Sequence, residues 1–218
     1  MAGYDDVLAA VAEGNKEKLC FLVEGDPGIL VRPEGGGSVL LAALYRGRQD
    51  LVEVLAPRVQ MDVFEASALG DVVRVIELVK KDRELVREHS SDGWTALHLA
   101  AFMGHRKTAE ALLELAADVG AISENQMANQ PLHAALAGKT DRDVVEMLIQ
   151  RGADVNGRGG AGVRPLHLAA SRGDAGLCEM LISKGADVGA TMDDGMTADA
   201  LAEKRGHAAV AQQLRHYR

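Results

Sequence analysis

Aromatic side chains are scarce in this chain, which has one Trp, three Tyr and three Phe among 218 residues. So small an aromatic content is low for a globular core and fits thin helical layers packed through Ala, Leu and Val, in one elongated domain rather than two globules. Basic charge is also short. The formal net charge of −8 argues against a general nucleic-acid or anionic-membrane surface, because both need a basic field to recruit phosphate. The two cysteines, Cys20 and Cys178, lie towards opposite ends of the chain's repeating order, too far apart for a disulfide, so a reducing compartment is the simpler reading. No apolar run approaches a membrane span, and the opening MAGYDDVLAAVAEGNK carries acidic residues where a signal peptide needs a positive region, so a cytoplasmic location is expected. Catalytic signatures are missing as well: the chain has no CxxC, HExxH, GxSxG or phosphate loop after a strand, so no catalytic residue, cofactor or metal site is expected.

What is present is a unit that recurs. The stretch 92–121, DGWTALHLAAFMGHRKTAEALLELAADVGA, opens on the turn pair Asp92-Gly93 and on Thr95, whose hydroxyl can cap a helix. The helix carries Leu97, Leu99, Ala100 and Ala101 and stops at Gly104, a residue suited to the left-handed conformation of a helix end. A second helix, roughly Lys107 to Ala116, spaces Ala109, Leu112, Leu113 and Ala116 on one face. Two such helices cannot bury their faces alone, so stability has to come from similar units stacked on both sides.

Copies follow in register. His98, His133 and His167 each follow a leucine at intervals of 35 and 34 residues, and Gly70, Gly104, Gly138, Gly173 and Gly206 recur at 34, 34, 35 and 33. The phrases TALHLAA, QPLHAAL and RPLHLAA, with RGADVN and KGADVG, give the chain a pattern that resembles the ankyrin repeat, whose period is about 33 residues. The resemblance implies an all-α solenoid of about seven helix-turn-helix repeats with short β-hairpin loops, filling residues 1–218 as one domain. Repeats across 1–91 are degenerate, those across 92–191 are clear, and 192–218 resembles a closing repeat whose last helix, with Gln212, Gln213, Arg215, His216 and Arg218, turns a polar face outward.

Taken in order, the first pair of helices runs from Tyr4 through the Gly14-Asn15 turn to Glu24. A turn-rich connection with Asp26-Pro27-Gly28 leads to Ser38, which caps VLLAALYRG, and Gln49 to Ala56 supplies the partner helix. The period then breaks: Gly47 to Gly70 is only 23 residues, so repeats two and three should join without a hairpin between Ala56 and Val63. Repeat three keeps helices over 63–69 and 72–80, with Phe64 where later repeats have His, and KKDRELVREHSSDG reads as a solvated loop. Repeat five has an extra residue in AGKTDRD, a turn that should bulge, and GADVNGRGGAG reads as a flexible hairpin loop.

The three histidines would stand in a row at helix-helix spacing, too far apart to share one zinc. The resemblance implies that they bridge backbone groups between repeats with a preceding Thr as partner. Only Thr95 fits that pattern, Gln130 and Arg164 standing in its place further on, which leaves the bond open for repeats five and six. The resemblance also implies a concave surface formed by the loop tips and the hairpin-side ends of the first helices. Tyr45, Arg46, Leu69, Phe102, Met103, Arg172 and Arg205 fall just before the inter-helix glycines, and Trp94 and Met127 at loop tips. Large apolar groups at positions the fold does not demand suggest an interface centred on Trp94, Phe102 and Met103, with the arginines steering an acidic partner. The function so implied is a non-enzymatic scaffold or adaptor for a partner protein, with a monomer favoured. The alternative is a modification substrate, since Leu148 with Asp154-Val155-Asn156 resembles the pattern that asparaginyl hydroxylases accept. An enzyme is the third possibility and would need a pocket of convergent polar groups.

Overall fold

The computed structural model describes residues 2–138 and 142–218, and among these the chain forms fourteen α-helices taken in seven pairs. The pairs are α1 (Tyr4–Glu13) with α2 (Lys16–Gly25), α3 (Val39–Tyr45) with α4 (Gln49–Leu55), and α5 (Val63–Leu69) with α6 (Val72–Lys81). They continue as α7 (Ala96–Met103) with α8 (Arg106–Glu114), α9 (Pro131–Ala137) with α10 (Arg142–Gln150), α11 (Pro165–Ser171) with α12 (Ala175–Ser183), and α13 (Ala198–Lys204) with α14 (Ala208–His216). The odd-numbered helices pack in sequence into one row, each touching the next, and the even-numbered helices flank them as an outer row. This is the all-α solenoid of seven repeats that the resemblance implies.

Local chemistry sets each helix end. Thr95 Oγ1 accepts the His98 N–H, Ser38 Oγ the Leu41 N–H and Asp62 the N–H groups of Phe64 and Glu65, so three first helices start on a side-chain cap. Gly104 at φ +79° and Gly70 at φ +78° close α7 and α5 in the left-handed conformation. The buried stripes are almost wholly Leu, Val and Ala, so neighbouring helices approach closely. Helix α8 ends at Glu114, two residues short of the expected limit: Ala116 has φ +70° and lies exposed, and Ala117 takes its place in the core.

The short repeat is where the stack departs from regularity. Residues 56–62 pass from α4 to α5 without a β-bridge, as the 23-residue interval required. Isolated antiparallel bridges occur at His89–Thr95 and Thr191–Thr197, in the loops that precede α7 and α13. Two connections are more built than expected. Pro27–Leu30 is a 3-10 turn that buries Ile29 and Leu30, and Arg83–Val86 is another that buries Val86, so KKDRELVREHSSDG is not wholly solvated. The glycine-rich loop is also packed rather than loose: Gly159 and Gly160 lie against the loop of repeat five, where a Cβ would meet Asn129 Oδ1 at 2.6 Å or Gln126 O at 2.6 Å. The turn of repeat five falls largely on residues 139–141, outside the described residues.

Candidate functional site

The histidine row determines how the inner helices are held, and so where their ends point. His98, His133 and His167 are buried. Their Nε2 atoms reach the carbonyls of Asn129, Val163 and Met196 in the following repeats at 2.8, 3.2 and 3.3 Å. A carbonyl only accepts, so Nε2 carries the proton and Nδ1 is the acceptor. In each case that acceptor is met by the backbone N–H three residues upstream, from Thr95, Gln130 and Arg164, each at 3.3 Å. The Thr hydroxyl adds a contact to Nδ1 at 2.8 Å in repeat four. Gln130 and Arg164 do not break the bridge, because the main chain supplies the donor. Burial pushes the His98 imidazole down to about 4, and the His133 and His167 rings are lowered for the same reason.

In repeat three the equivalent position belongs to Glu65, not Phe64. Helix α5 is a residue shorter than α7, so Glu65 is its third residue, as His98 is in α7. Its side chain is 1% exposed and accepts from Ser38 Oγ at 2.5 Å, from the Asp62 N–H at 3.1 Å and from Arg32. Arg32 also reaches Asp62 at 2.9 Å. An ion-paired carboxylate thus links repeats two and three where the hairpin is missing. Burial raises the Glu65 carboxyl above its ordinary range, with Asp62 adding to the rise and Ser38 and Arg32 opposing it.

Of the residues singled out in the sequence, Tyr45, Trp94, Phe102 and Met127 come together. They line a recess of about 280 Å³ with Asp92 and Asn125. The three rings pack edge to face: Trp94 and Phe102 at 5.0 Å and 71°, Tyr45 and Phe102 at 6.1 Å and 84°, Tyr45 and Trp94 at 6.4 Å and 73°. Tyr45 donates to Asp92 Oδ2 at 2.5 Å, and Asn125 Nδ2 donates to the Asp92 carbonyl at 3.0 Å, so both edges of the recess are pinned. Trp94 is 7% exposed and Met103 4%. The expectation that both stand open to a partner is corrected: they belong to a buried cluster that joins repeats one and two to Ala68, Leu99 and Ala134 of repeats three, four and five. Open at the rim are Met127, 50% exposed, and Tyr45; Phe102 is half-buried, as is Leu69 beyond the recess.

The arginines do not gather there. Arg46 donates to the Ala42 carbonyl at 3.1 Å and lines a smaller adjoining recess of about 210 Å³ that shares Tyr45 and Asp92. Arg172 donates to the carbonyls of Leu136, Ala137 and Gly138 at 2.9–3.4 Å, closing the end of α9. Arg205 is exposed at the end of α13, in the last pair. Sequence reading missed Asp92 and Asn125 as lining residues. A DG turn pair is a sufficient local explanation for the first, and the contact to Tyr45 spans 47 positions. Asn156, the residue of the modification alternative, is engaged: Nδ2 donates to the Gly185 carbonyl at 2.9 Å and Oδ1 accepts the Asp187 N–H at 2.8 Å. Among the described residues no three or more His, Cys, Asp or Glu side chains gather as metal ligands, and no helix is long and apolar enough to cross a membrane.

The family described as Ankyrin repeats (3 copies) matches residues 7–122, 63–159 and 132–218. Nuclear factor NF-kappa-B p105 subunit of Gallus gallus is 34% identical over 124 residues, covering 55% of this chain and 12% of that protein. Neurogenic locus notch homolog protein 2 of Homo sapiens is 34% identical over 139 residues, 63% of this chain and 5% of that protein. Neurogenic locus notch homolog protein 1 of Xenopus laevis is 35% identical over 97 residues, 44% of this chain and 4% of that protein. The chain therefore spans no more than 12% of the length of these relatives.

Proposed function

Because this chain belongs to the ankyrin-repeat family, we propose that it is a non-enzymatic protein-interaction module that holds a partner protein on the surface of its inner helices and loop tips. The reading is carried by one observation: in an aromatic-poor chain, Tyr45, Phe102 and Met127 converge on a single recess over a buried Trp94. Repeats two, four and five each contribute, so the recess exists only in the assembled stack. Groups of this type at an otherwise Ala- and Leu-packed surface mark interfaces, where buried aromatic anchors contribute most. The polar groups are committed to structure instead: the histidines bridge repeats, and Glu65 ties Arg32 to Ser38. Tyr4, Arg32, Asp62 and Glu65 do line one recess, but the arginine and the two carboxylates there are bonded to one another rather than set out as acid, base and nucleophile. The Asn156 alternative is weaker, because hydroxylation would require the loop to release both side-chain bonds.

The test compares Met127→Glu, in the recess, with Val73→Glu on α6, an exposed apolar residue of the outer row. Both should melt like the unaltered protein, since both sites face solvent. Partner capture should be lost with Met127→Glu alone. Capture retained by Met127→Glu and lost with Val73→Glu would move the interface to the outer helices.

A further inference from the structure

The recess has a chemistry more specific than an apolar socket. Its lining is apolar apart from Asp92 and Asn125, and it includes one carboxylate and no cation. The Asp92 carboxylate accepts from two neutral hydroxyls, those of Tyr45 and Ser90, and an aliphatic side chain entering the recess would strip its remaining water and bring no opposite charge. A side chain with an apolar stem and a cationic head would meet both halves of the lining at once. The rings favour the same ligand. Tyr45, Trp94 and Phe102 all line the recess, packed edge to face at 71–84°. The face of an aromatic ring attracts a cation. The Tyr45 hydroxyl has its pKa raised by burial and by its bond to Asp92, so it stays a donor and fixes the carboxylate beside the rings. Glu124 stands exposed in the next loop, whose N–H donates to the Gly93 carbonyl at 2.8 Å, and the chain's charge of −8 draws cationic segments in from a distance.

Resting on the interaction reading, we infer that this recess receives a lysine or arginine side chain projecting from the partner, its stem against Phe102 and Met127 and its head at Asp92. Arg46 lines the adjoining recess, and its bond to the Ala42 carbonyl holds it to its own helix.

The experiment uses the full chain and short acetylated, amidated Gly-Ser peptides that differ only at a central Arg, Lys, norleucine or Glu. Binding is followed by NMR on the indole N–H of Trp94, the one tryptophan, and on the Met127 methyl group. The Arg and Lys peptides should shift both resonances, with norleucine, which keeps the stem and lacks the charge, weaker by about fivefold and Glu weaker still. Asp92→Asn should weaken the Lys peptide by about fivefold and leave norleucine unchanged. Because Asp92 also braces the loop, the norleucine comparison on the unaltered protein stands independently of whether that variant folds. If norleucine binds as well as Lys, the recess is an apolar socket and the inference falls while the interaction reading stands. If no peptide shifts either resonance, the inference falls too, and the Met127→Glu capture experiment alone decides the interaction reading.

Discussion

Tyr45 on α3 donates its hydroxyl to Asp92 in the loop before α7, a contact between repeats two and four that spans 47 residues and bypasses the repeat between them. It exists because repeat three is truncated. The 23-residue interval from Gly47 to Gly70 removes the hairpin that would stand between the two loops, and Trp94 extends into the core of the first two repeats. Tyr45→Phe keeps the ring and removes the bond. It should lower stability by about 1 kcal/mol, the modest figure reflecting a partly exposed pair. In a double-mutant cycle with Asp92→Asn the two substitutions should couple by at least about 0.5 kcal/mol in urea unfolding; strict additivity would mean that the contact contributes nothing.

The histidine row predicts a pH dependence with a definite sign. The His98 ring is held down to about 4 when folded, against an ordinary 6.5. Its contribution is therefore complete above 6.5 and lost as pH falls towards 4, because the unfolded chain takes up the proton first. Lowered values at His133 and His167 add in the same direction. Glu65 opposes them: with its carboxyl raised, it loses stability as pH rises through its folded value. The difference in urea midpoint between the unaltered protein and His98→Ala isolates one ring. At neutral pH the variant should be less stable by about 1 to 3 kcal/mol, through the Asn129 carbonyl left unpaired. The gap should narrow between pH 6.5 and 4; a constant gap would contradict the burial of a neutral ring.

Gly70 tests the closeness of the packing. It has φ +78°, and a Cβ there would meet the His105 ring at 2.8 Å, while Gly152, at φ +97°, has open space around it. Gly70→Ala should cost more than about 1 kcal/mol, because it adds a clash to backbone strain, and Gly152→Ala should cost less. Equal losses in thermal melting would show that backbone strain alone governs both sites.

Repeats four to six were legible because their signals are local: a cap such as Thr95, a glycine such as Gly104 and a leucine-histidine pair lie within one helix of each other. The missing hairpin was legible from a count of residues. What escaped depends on distant partners. Glu65 occupies the slot assigned to Phe64 because α5 is one residue shorter, a shift that alignment on Gly70 conceals. Trp94 is a tip residue by its position, and it becomes a core residue by packing against Phe102 and against Tyr45 and the cluster of repeats one and two, far upstream. Arg172 looked free in the sequence because the carbonyls that it holds lie about 35 residues away.

The central claim is that the surface around Tyr45, Phe102 and Met127 is covered by a partner. Amide hydrogen exchange, compared between the free chain and its captured complex, tests this most directly. The account predicts slowed exchange in the loops at 91–94 and 124–128, with α6 unchanged. Protection confined to α6 and the other even-numbered helices, with those loops exchanging as in the free chain, would contradict it.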